Sequence, residues 1–78
     1  MVDEMKSTIE AALPGAQVEV TAGGGGHYSL RVVSNAFESK SLLQKQRLVL
    51  SAIAHFMKGN DAPVHAIDKL ETLCPDEV

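Results

Sequence analysis

Two runs of alternating apolar and polar residues, one on each side of four consecutive glycines, constrain this chain more than any other feature. Val18, Val20 and Ala22 alternate with Gln17, Glu19 and Thr21; after Gly23 to Gly26, Tyr28, Leu30 and Val32 alternate again. A period of two puts successive side chains on opposite faces of a strand, so each run buries one face. A glycine turn between the runs closes them into a β-hairpin with a flexible tip.

The flanking sequence supplies what covers that hairpin. Met5, Ile9, Ala12 and Leu13 fall at i, i+4, i+7 and i+8. This is the stripe of an amphipathic helix, capped by Asp3 and stopped by Pro14-Gly15. Ser34 to Ser41 is polar apart from Ala36 and Phe37, a connection pinned to the core through Phe37. From about Ser41 to Met57 the period becomes 3.6: Leu42, Leu43, Val49, Leu50, Ile53, Ala54, Phe56 and Met57 share one broad arc. Gly59 suits the left-handed position past such a helix. Gln46 falls inside the arc, where a buried amide is expected to bond to neighbouring backbone. Asn60 to Pro63 makes a short loop, and Val64 to about Leu70 a third strand whose alternation breaks at Asp68-Lys69 through a bulge. The tail is ragged or a single turn begun by Pro75. The order is helix, strand, strand, helix, strand in one domain over residues 1–78: an α/β (α+β) chain whose helices cover one face of a small sheet.

Size and composition then exclude several functions. A chain of 78 residues has little room for a deep enclosed cavity. Its 45% apolar and 22% charged residues are those of a globular protein. No apolar run approaches the ~20 residues of a membrane span, and the start lacks the pattern of a signal peptide. One cysteine, Cys74, allows no internal disulfide. The expected location is the cytoplasm, or an organelle after processing. No nucleophile elbow, histidine-activated serine or purposeful carboxylate pair is present, so a binding protein is expected rather than an enzyme.

The candidate sites are few. The glycine run meets the letter of a phosphate-binding loop and of a GxxG nucleic-acid clamp, yet it joins two strands, where the first must open a helix and the second joins helices. Lys40, Arg47 and Lys58 project within about 20° of one another on the long helix, with Ser51 and His55 beside them. Such a stripe is either a solvated face or a contact for phosphates or an acidic partner, although the net charge of −3 disfavours phosphate binding by the surface at large. His27, His55, His65 and Cys74 show no close metal-ligand spacing, so a self-contained zinc site is not expected.

One longer stretch is more specific. Val33-Ser34-Asn35-Ala36-Phe37-Glu38-Ser39-Lys40-Ser41 resembles the V-S-x-x-F-x-G-K-S signature of the BolA family, and Lys45-Gln46-Arg47-Leu48-Val49 its R-H-R-x-V stretch. Val64-His65-Ala66-Ile67 resembles its I-H-A-L strand, and the resemblance runs through nearly the whole chain. It implies a class II KH-like fold with a three-stranded sheet backed by helices. It also implies partnership with a monothiol glutaredoxin bearing a Cys-Gly-Phe-Ser site. In such a pair a two-iron two-sulfur (2Fe-2S) cluster is shared between the glutaredoxin cysteine, glutathione and histidine of the BolA protein. By motif match His65 takes the place of the family's invariant histidine, and His27 that of the histidine or cysteine of its variable loop, the second ligand or its alternative. Histidine in place of thiolate raises a cluster's potential. DNA is the alternative partner that the resemblance implies, carried here by Lys40, Lys45, Arg47 and Lys58. Membrane is not expected as a partner, and alone the chain is expected as a monomer or weak homodimer. Ser39 stands where the family has glycine, Lys45-Gln46 replaces Arg-His, and little of the family's last helix is present, which weakens the DNA reading.

Overall fold

The computed structural model describes residues 1–78, all of the chain. Helix α1 spans Val2–Ala12, strand β1 Gln17–Gly24, strand β2 His27–Val33, helix α2 Leu42–Ile53 and strand β3 Ala66–Leu73. The strands form one sheet in the order β1-β2-β3, with β1 antiparallel and β3 parallel to the central β2. The antiparallel pair needs only a tight turn, while the parallel pair needs a crossover, which α2 supplies.

The glycine run is less of a loop than its composition suggests. Gly23 is a bulge, Gly24 pairs with His27, and only Gly25 and Gly26 form the turn. Their φ values, 64° and 80°, are the paired positive angles that match the twist of a two-residue hairpin.

Both helices lie over one face of the sheet. Met5 and Ile9 of α1 and Val49 and Ile53 of α2 meet Val18, Leu30 and Val32 of the strands in one core, joined by Leu13, Phe37, Val64 and Cys74. Polar residues take the other face, where Glu19, Arg31 and Glu71 stand side by side across the three strands.

Several local expectations are corrected. Asp3 does not cap α1; the cap position is Met1, and Asp3 lies in the first turn, where its charge suits the helix dipole. α2 ends at Ile53 and tightens into a 3-10 turn over Ala54–Met57, so the apolar arc does not continue on one helix. Leu42, Leu43 and Leu50, assigned to that arc, are exposed, because only Val49 and Ile53 face the sheet squarely. Gln46 is half-buried. The enclosed polar atom without a partner is instead Thr72 Oγ1. β3 begins two residues later than the third strand read from sequence, and the bulge at Asp68 is present. A turn over Pro75–Glu77 ends the chain, and no helix is long and apolar enough to cross a membrane.

The signature stretch has a structural explanation. Ser34 accepts the Ala36 N–H at 3.0 Å and starts a 3-10 turn, Asn35–Phe37, that drives Phe37 into full burial. Ser41 caps α2 in a reciprocal box with Gln44: the Gln44 N–H donates to the Ser41 hydroxyl at 3.2 Å, and the Ser41 N–H to the Gln44 side chain at 2.9 Å. Between them, Ser39 has a left-handed backbone with φ 63°. The glycine expected there by resemblance is thus a conformational requirement, met here by a serine.

Candidate functional site

The parallel pairing of β2 and β3 brings the two sequence-predicted histidines to one end of the sheet. His27 opens β2 opposite Ala66, the first residue of β3, so His65 lies immediately beside it. The Gly26 carbonyl accepts two N–H bonds, from His65 at 2.8 Å and from Ala66 at 3.3 Å, which locks the two strand starts together. Both imidazoles are exposed.

Gly26 itself shapes the site. A Cβ built on it would run into the His65 ring, and its φ of 80° is unfavourable for any other residue. The His65 ring therefore rests over bare backbone. His27 is held from the other side: its Nδ1 lies 2.9 Å from Asp68 Oδ1. Asp68 lies two residues after Ala66, the partner of His27, and so on the same face diagonally across from it; the register passes there from Tyr28–Ile67 to Ser29–Lys69, leaving Asp68 as the extra residue of a bulge. Sequence reading singled out both histidines but neither Gly26 nor Asp68 as part of their surroundings. The broken alternation at Asp68 was the only trace of it.

The other candidates lie elsewhere. His55 lies against Phe56, with ring centroids 4.0 Å apart and the planes tilted by 38°. Cys74 follows the last residue of β3, at the opposite end of that strand, and is buried, not frayed. Its N–H donates to Glu77 Oε1 at 2.8 Å, and Lys45 Nζ reaches the same oxygen at 3.5 Å. Burial pushes the Cys74 thiol up, with the Glu77 carboxylate adding to it. The Cys74 backbone N–H, then the thiol, hold the Glu77 carboxyl below its usual range, and Lys45 contributes.

The basic stripe is partly dispersed. Lys40 precedes the cap of α2 and Lys58 follows the 3-10 turn, so neither lies on the helix on which they were projected. Lys45 faces Glu77, with its side chain only 14% exposed. Lys40 and Arg47 do share a shallow depression with Gln44, Leu48 and Ser51. Between Ser39 and Gly59 lie four of the seven cations and none of the ten carboxylates, so charge is segregated despite the net −3.

A three-stranded mixed sheet, covered by two helices on one face and presenting exposed imidazoles where two parallel strands begin, defines a small α+β module of the class II KH-like type. Known proteins place it further. A model of the family described as BolA-like protein matches residues 3–77. An uncharacterized protein in the rpoN-murA intergenic region of Acinetobacter guillouiae is 31% identical over 65 residues, 83% of this chain and 75% of that protein. A BolA homologue from Coxiella burnetii has the same fold at TM-score 0.78 and 31% identity, over 99% of this chain and 94% of that one. The BolA domain of SufE1 from Arabidopsis thaliana gives TM-score 0.82 at 28% identity, over 97% and 93% of the two chains. The chain belongs to the BolA-like protein family.

Proposed function

We propose that this protein is a binding partner of a monothiol glutaredoxin with a Cys-Gly-Phe-Ser site, and that it contributes histidine ligands to a 2Fe-2S cluster shared with that partner and glutathione. The role is cluster assembly, trafficking or iron-dependent regulation, not catalysis. The observation that carries it is the locked pair of strand starts at Gly26, which brings the exposed residues His65 and His27 to the same end of the sheet.

The donor chemistry fits such a group. Neutral imidazole is an established ligand in two-iron clusters, and the backbone beneath His65 is fixed. No group of three or more His, Cys, Asp and Glu gathers in the fold, so further ligands have to come from a partner. His65 is the principal donor and His27 the second or alternative one.

The test is anaerobic reconstitution with such a glutaredoxin and glutathione, read by native mass spectrometry and visible circular dichroism. A one-to-one complex with its own spectrum, lost with His65→Ala and altered with His27→Ala, is the expected result. Spectra and stability that do not change with His65→Ala remove that residue from the site. Absence of any mixed complex removes the proposal.

A second reading, binding to DNA, is favoured by the acid-free segment and the depression shared by Lys40 and Arg47. It rests on phosphate contacts, so affinity falls with salt, and neutralising both residues lowers the slope against log salt by about two. Flat titrations at low salt exclude it.

A further inference from the structure

We propose that Asp68 is a positioning residue for His27, fixing its imidazole in the Nδ1–H tautomer so that Nε2 is the atom offered to a metal. This rests on the glutaredoxin reading for the metal's identity, and on geometry alone for the tautomer.

Two neighbouring observations carry it. The first is the hydrogen bond itself: His27 Nδ1 to Asp68 Oδ1 at 2.9 Å, between residues 41 apart in sequence. An ionised carboxylate only accepts, so the proton of this bond sits on Nδ1. In a neutral imidazole the other nitrogen then carries the free lone pair, and Nε2 has no partner within the chain. The second is the bulge. Asp68 stands two residues after Ala66, the partner of His27, on the same face and diagonal to it; the register shift pairs Ser29 with Lys69 and leaves Asp68 without a ladder partner of its own. The extra residue of the bulge is thus the one whose carboxylate meets the candidate ligand.

The bond is solvent-exposed, with side chains 49% and 55% accessible, so it adds little to folding. A tautomer balance responds to much less. One hydrogen bond of ordinary strength shifts a two-state ratio roughly three- to tenfold. Outer-sphere carboxylates of this kind also set the direction in which a histidine ligand faces and raise its basicity.

The experiment has two independent arms. In the first, long-range proton–nitrogen spectra of the free protein assign the His27 tautomer about two pH units above the ordinary histidine value near 6.5. Wild type is compared with Asp68→Ala and with Glu71→Ala, a carboxylate removed from the same strand away from His27. The expected result is a majority Nδ1–H form in wild type and Glu71→Ala, and a roughly three- to tenfold shift towards Nε2–H in Asp68→Ala. A wild-type majority of Nε2–H, or a tautomer ratio unmoved by Asp68→Ala, overturns the proposal without any variant needing a cluster.

In the second arm the same three proteins form the mixed cluster complex, and cluster loss to a chelator is timed. Asp68→Ala is expected to lose the cluster about tenfold faster with an altered circular dichroism spectrum, and Glu71→Ala to match wild type. An unchanged spectrum and rate in Asp68→Ala overturns the positioning role. If wild type forms no complex, the glutaredoxin reading fails, and the first arm still decides whether Asp68 sets the His27 tautomer.

Discussion

Ser39 is the only non-glycine residue with a left-handed backbone, and it sits between two serine caps that fix the chain on either side. For an L-residue that conformation costs about 1–2 kcal/mol, whereas a new glycine loses about 0.5–1 kcal/mol through the freedom it gains when unfolded. The first effect is larger, so Ser39→Gly is expected to raise stability by about 0.5–1 kcal/mol, read as a higher urea midpoint at unchanged slope. At Thr72 the hydroxyl is enclosed without a partner. Thr72→Val keeps the shape and removes the unpaired group, with an expected gain of about 1 kcal/mol. A loss on the same urea titration would show that the hydroxyl is hydrogen-bonded in solution. Gly26→Ala combines a positive φ with a clash against His65, so a loss of about 1–3 kcal/mol is expected together with shifted His65 ring resonances. If the His65 resonances stay put, the ring does not rest on Gly26. None of these three features is visible in the residue types. Ser39 shows in the sequence only as a departure from a motif, and its φ belongs to the folded chain.

Among the elements, the hairpin was the most legible, because a period of two around glycines has few other solutions. Phe37 as the anchor of its connection, Gly59 with its φ of 89°, and the closing turn at Pro75 also follow from residue chemistry. The 3.6-residue period makes α2 longer and more buried than it is. Its leucines fit a wheel, but a wheel does not know that the helix tightens after Ile53 or that only one narrow side meets the sheet. The C-terminal turn hid its own chemistry for a similar reason, since Lys45 and Glu77 are 32 residues apart. The Glu77 carboxyl is held below its ordinary value in the fold, so its stabilisation is complete above the usual carboxylate range and fades as pH falls through the lowered folded value. Accordingly, the Cys74 and Glu77 amide resonances are expected to move together below about pH 4, and Glu77→Ala to speed Cys74 labelling by a thiol reagent several-fold at neutral pH. Labelling at the wild-type rate would mean that the turn does not guard the thiol.

For the whole molecule, resemblance to one family and simple periodicity together led to the class II KH-like form and to both histidines. What they did not convey was which residues the parallel ladder juxtaposes. That ladder has a consequence in time. A hairpin with a two-residue turn closes within about 1–10 μs, but pairing β3 with β2 must wait until the long intervening crossover is ordered. His27 emerges with the early hairpin, and His65 and Asp68 arrive only with the last strand. A nascent or partly melted chain therefore displays one imidazole without its neighbour or its carboxylate. A partner that needs both residues would pass over such chains and engage only finished ones, so that recognition itself would check that folding is complete.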